Sequence, residues 1–71
     1  MRHINEGDLV KLRFTDIQDI RAWVLKTPQG AGDDWEFQET KNSRIFSQNP
    51  YDAKFRGCDL IVKKQDLGDE S

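Results

Sequence analysis

The sequence predicts a mostly β fold, a small five-stranded barrel, and three observations predict it. Residues 10–14 alternate strictly between apolar and polar side chains. Four further segments rich in aromatic and β-branched residues follow, separated by clusters of Gly, Pro, Asn and Asp. Phe14, Trp23, Trp35, Phe37, Phe46, Tyr51 and Phe55 are spread over these segments and supply large apolar side chains for one compact core.

The elements follow in order. Asn5-Glu6-Gly7-Asp8 is a turn signal. Leu9 to Phe14 then sets Val10, Leu12 and Phe14 on one face and Lys11 and Arg13 on the other, which predicts a half-buried strand. Residues 15–27 admit two readings. Thr15 and Gln18 have capping-box spacing, Ile17, Ile20 and Val24 would share a helical face, and Pro28 would stop a helix over about 16–26. The other reading makes Ile20–Thr27 a strand, with Ile20, Ala22 and Val24 on one face and Arg21, Trp23 and Leu25 on the other. The strand is preferred, because Trp35–Glu39 has the form of its hairpin partner across a loop holding Pro28, Gly30 and Gly32. Were 16–26 a helix, the fold would be α+β, with that helix on a four-stranded sheet.

Thr40–Ser43 is a second turn and Arg44–Ser47 a short strand, so 20–47 reads as a meander. Pro50-Tyr51-Asp52-Ala53 predicts a short 3₁₀ turn before the last strand, Cys58–Lys63. Residues 65–71 are polar, acidic and without periodicity, and are expected to be a disordered tail after a single domain over 1–64. The element order, a three-strand meander, a short strand, a 3₁₀ turn and a closing strand, resembles an SH3-like barrel over about residues 7–64. The resemblance rests on order alone.

Composition narrows the class. A chain of 71 residues is one domain and buries only about 60% of the surface its unfolded form exposes, so a staple or a partner is expected. Cys58 is the lone cysteine, which excludes an internal disulfide and fits a reducing, cytoplasmic setting. No apolar run approaches the ~20 residues of a membrane span, and the first residues lack the apolar core of a signal peptide.

Catalytic patterns are missing from the chain. His3 and Cys58 are the only soft ligands, so no metal site and no cofactor is expected. His3 in a terminal segment is a poor base for Cys58, which reads as a small buried hydrophobe. Asp33-Asp34 in a Gly-rich loop reads as turn chemistry, and Gly30-Ala31-Gly32 lacks the Lys and Ser/Thr of a phosphate loop. The expectation is a protein that is not an enzyme.

Charge is segregated although the net value is only −2. Residues 28–40 carry Asp33, Asp34, Glu36 and Glu39 and no basic residue, whereas 41–64 carries six basic residues against Asp52 and Asp59. The plain reading is opposite charges paired across a sheet. The functional reading is a binding module for a protein partner, or for a second copy of itself. Trp35, Tyr51 and Phe55 would form its aromatic patch, and Arg44, Lys54 and Arg56 its cationic contacts. Stand-alone domains of this size serve as accessory or inhibitory proteins of phages and mobile elements, and that setting is expected. The alternative is a single-stranded nucleic-acid binder, with the basic residues of 41–64 on phosphates and Tyr51 or Phe55 stacked on bases.

Overall fold

Alternation sets the strands, and the turn residues between them set their ends. The computed structural model describes residues 3–67. It contains β1 (Leu9–Phe14), β2 (Ile20–Lys26), β3 (Trp35–Glu39), β4 (Ile45–Gln48), β5 (Phe55–Val62) and one helical turn, α1 (Lys64–Leu67). All neighbours pair antiparallel, in the order β4-β3-β2-β1-β5. The segment 20–26 is therefore a strand, as preferred, and the helical alternative over 16–26 falls. Its pairing with β3 outweighs a capping box on residues that only bend, 15–17.

One face of the sheet is the core. Val10, Leu12, Ala22, Val24 and Phe37 are fully buried there, and the register aligns Val10 with Ala22 and Val24 with Phe37. No second layer covers this face among the described residues. Burial this complete requires the sheet to coil, so that Phe46 near one edge and Phe55 near the other lie against the core. Phe46 approaches Phe37 at 5.7 Å between ring centroids, and Phe55 approaches Phe14 at 5.6 Å.

One expectation needs correction and two need refinement. The sheet is not a closed barrel: β4 and β5 are its two edges. Lys54 C=O accepts the Thr15 N–H at 2.9 Å, which ties the start of β5 to the end of β1 instead of to β4. The 3₁₀ turn expected before β5 is present only as single hydrogen-bonded turns and not as a helix: Asp52 N–H bonds Asn49 C=O at 3.2 Å, and Phe55 N–H bonds Asp52 C=O at 3.0 Å. The Asn49 side chain accepts the Tyr51 N–H, and the Asp52 side chain accepts the Lys54 N–H, so two Asx turns follow one another. The segment read as a tail begins with the last three residues of α1; residues 68–71 lie outside the described residues.

The β3–β4 turn shows the same side-chain control. Ser43 takes a left-handed conformation at φ 62°, its N–H bonds Glu39 C=O, and Asn42 Oδ1 accepts the Arg44 N–H. Among the described residues no helix is long and apolar enough to cross a membrane.

Candidate functional site

Among the described residues, three of the five exposed large apolar side chains, Leu25, Ile45 and Ile61, lie on the outer face of the sheet. Cross-strand partners project from the same face, and the register runs Ile45, Gln38, Trp23, Leu9 from β4 to β1. That row puts the indole between Leu9 and the polar Gln38, with Ile45 one strand further out beyond Gln38. Leu25 and Ile61 follow the inward-facing Val24 and Leu60 and so lie on the same outer side. Ile45 is 61% exposed, Leu25 and Ile61 are exposed, and Trp23 is half-buried. Lys11, Arg21 and Glu36 share this face and border the row. Phe46 and Gln48 of β4 point inward, so Ile45 and Ser47 make up that strand's exposed outer side.

The six residues expected from the sequence separate into two groups. Trp35 stacks on Phe37 at 5.4 Å and packs on the core, as Phe55 does through Phe14. Tyr51 is 80% exposed, in the first of the two turns before β5. Lys54 pairs with Asp16 at 3.3 Å, and Arg56 is exposed on β5. Arg44 lies 5.0 Å over the Phe46 ring and 3.5 Å from the largely buried Glu39 carboxylate. Tyr51, Lys54, Phe55 and Arg56 are neighbours through the chain. Trp35 pairs with Gln48, next to that turn, while Arg44 stands at the opposite end of the β3–β4 hairpin, one residue before Ile45.

Asp8 is the polar centre that the sequence did not disclose. It is 1% exposed, and its carboxylate accepts three hydrogen bonds of 2.8 Å, from Lys63 Nζ, the Asn5 N–H and the Lys64 N–H. Burial by itself would raise its pKa. The Lys63 ammonium and the two backbone donors outweigh that penalty and hold the carboxyl below the usual range. Its C=O also accepts the Val24 N–H at 2.9 Å. Gly7 precedes it at φ 90°, and a Cβ there would meet Lys64 Cδ at 2.6 Å. The cleft of about 420 Å³ beside Asp8 thus has a carboxylate already engaged by its own chain. This is a clamp between the two ends of the domain.

The remaining titratable groups offer little chemistry. Burial pushes the Cys58 thiol up to about 11, with Asp59 adding to the rise, so it is protonated near neutral pH. His3 lies beside Lys63 past the end of β5, while Cys58 pairs with Leu12 at mid-strand; the structure does not bring them together. Asp33 organises its loop. It accepts the Gln29 N–H at 2.9 Å and pairs with Lys26 at 3.5 Å, and these contacts hold its carboxyl below the usual range against a small burial penalty. No group of three or more His, Cys, Asp or Glu is placed to hold a metal ion among the described residues. Comparison with protein-family models, with curated proteins and with solved structures finds no match to the chain.

Proposed function

We infer that the chain is a non-catalytic binding module that engages a protein partner through the outer face of its sheet. The observation that carries this reading is the row Leu9, Trp23, Gln38, Ile45, with Leu25 and Ile61 exposed on the same side, on a face that no element of the chain covers among the described residues. A half-buried tryptophan with exposed aliphatic side chains on the same face, mixed with Gln38, Lys11 and Arg21, has the aromatic and arginine content of an interface. Tyr51 and Arg56 add an exposed aromatic and an exposed cation near β5. The fold reading that goes with it is an SH3-like barrel left open between β4 and β5, supported by the strand order. An accessory or inhibitory role in a phage or mobile element fits a small module of this kind.

The nucleic-acid reading draws less support. Three of the six basic residues in 41–64 already face carboxylates: Arg44 with Glu39, Lys54 with Asp16 and Lys63 with Asp8. Pairing of that kind lowers the counterion release on which strand binding depends.

The test is capture of a stoichiometric protein partner by the wild type, by Ile45→Glu and by Leu25→Glu. Both sites are exposed, so folding should survive. Loss of capture by the variants supports the outer face. Equal capture by all three, or binding of fluorescent single strands at low salt that Arg44→Ala with Arg56→Ala abolishes, would sink the reading.

A further inference from the structure

We propose that the free edge of β4 pairs antiparallel with β4 of a second copy, Ile45 opposite Ser47 and Ser47 opposite Ile45, about a two-fold axis at Phe46. The surface is the backbone edge of the sheet; it shares only Ile45 with the outer face described above, the Ile45 side chain lying on that face while its backbone N–H and C=O form the edge.

The phase of the β3–β4 ladder leads to it. Glu39 donates its N–H to Arg44 C=O at 2.8 Å, across a pair that the register continues as Phe37 with Phe46 and Trp35 with Gln48. In an antiparallel ladder every second residue bonds inward and the residues between bond outward. Phe46 and Gln48 therefore bond β3, and the N–H and C=O groups of Ile45 and Ser47 point away from the sheet. Both residues are exposed.

Those outward groups are spaced for self-pairing. With 45 opposite 47, each hydrogen-bonded pair supplies two N–H···O bonds, and the two-fold axis repeats the pair, giving four. Phe46 then meets its own copy as the close, non-hydrogen-bonded pair, which is the isologous arrangement of a C2 dimer. Charge agrees with it. β4 carries no charged residue, and the same register sets Arg44 against Gln48 of the copy, so no like charges meet. Ile45 is left beside the small Ser47 of the copy and diagonal to the copy's Ile45, within the roughly 7–8 Å reach of such neighbours. The strand also lacks the charges, proline and bulges that keep edges apart.

Two four-residue strands bury less than the roughly 1,200 Å² of a standard interface, so the dimer should appear only at high protein concentration. The experiment is sedimentation over a concentration series of the full chain, with amide exchange read at each step. The expected result is a monomer–dimer equilibrium in which the Ile45 and Ser47 amides slow as dimer forms while β5 amides do not change. An intermolecular Hα–Hα contact between Phe46 and its copy should appear in a mixed-label sample. Ser47→Pro removes an N–H that its own sheet does not use, and Ile45→Lys brings two ammonium groups near the axis. Each should shift dissociation at least tenfold toward monomer with the circular dichroism of the wild type. A strict monomer at millimolar concentration overturns the proposal. So does a dimer that survives in Ile45→Lys, or one whose intermolecular contacts lie on the Trp23 face.

Discussion

The two edges of this sheet are built on opposite principles. β5 is eight residues long, and its pairing with β1 is interrupted by two register shifts. It carries Arg56 and Asp59, and Gly57, at φ 123°, stands beside one of the two register shifts. Its far end runs into Lys63 and Lys64, both held by buried Asp8. β4 is four residues long, regular, uncharged, and anchored by Phe46 on Phe37. Charges and bulges blunt an edge against other strands. The chain thus protects one edge with charges and bulges and leaves the other guarded only by its short length, and that second edge meets the outer face at Ile45.

The largest effect should come from releasing the protected edge. Asp8→Ala leaves the Lys63 ammonium and the N–H groups of Asn5 and Lys64 without their acceptor. Breaking a buried ion pair from one side costs ~3–5 kcal/mol. Lys63 keeps partial access to water, so urea unfolding should show a loss of about 3 kcal/mol, at the low end of that range. Amide exchange should quicken at the end of β5 and in α1, with β4 changed only by the global loss. Acid sharpens the prediction. The Asp8 pKa is lower in the folded state than in the unfolded chain, so its contribution is complete above the unfolded value, near ~3.9, and is lost as pH falls through the folded value. The stability gap between wild type and Asp8→Ala should be constant from neutral pH down to about 4 and should close below it. A gap that widens in acid would contradict the sign.

This clamp was invisible in the sequence for a physical reason. Asn5-Glu6-Gly7-Asp8 is locally a turn, and nothing within reach of a periodicity argument links Asp8 to Lys63 and Lys64, 55 and 56 residues away. The strands were legible because alternation is local. That Ala22 and Val24 share one face and Trp23 the other could be read from residues 20–25 once the strand is preferred to the helix, and β1 and β3 likewise; which face turns inward was set by the pairing of the three strands. The candidate site was less legible. Trp35 and Tyr51 look alike as exposed-aromatic candidates, but Trp35 shares a strand face with Phe37, so the core claims it first, and Phe55 follows through Phe14. Ile45 passed unnoticed as a surface residue because a strand of four residues shows too little alternation to fix which side faces out. Barrel closure depends on which edges meet after the Asn49 and Asp52 turns, and no local pattern carries that.

The next effect in size tests the open edge. Phe46→Ala removes the one large inward side chain of β4. A fully enclosed Phe costs ~3–5 kcal/mol on truncation; Phe46 is half-buried, so about 2 kcal/mol is expected in urea unfolding. Exchange should rise along β3 and β4 while the Asp8 clamp stays protected. Equal loosening of β5 would mean that the two edges unfold as one unit, and the contrast between them would then be one of sequence and not of stability.

The smallest effect compares one ion pair beside each edge, Arg13 of β1 with Asp59 of β5 and Arg44, just before β4, with Glu39 of β3. Arg13 bonds Asp59 at 2.9 Å, the shorter contact, yet both side chains are about half exposed. Arg44 stands 3.5 Å from Glu39, the longer contact, but Glu39 is largely buried. Distance alone ranks Arg13 first. Solvation reverses the order: an exposed pair is screened by water and contributes ~0.5 kcal/mol, whereas removing Arg44 leaves a buried carboxylate short of a partner, at ~1 kcal/mol or slightly more. Arg44 also loses its contact over Phe46, which adds to the difference. Arg44→Ala should therefore lower the urea midpoint about twice as far as Arg13→Ala. High salt should erase most of the Arg13 effect and little of the Arg44 effect, because screening acts on exposed pairs. If the two variants prove equal, or Arg13 the costlier, then Glu39 reaches water more freely than its burial implies, and β4 is held by Phe46 alone.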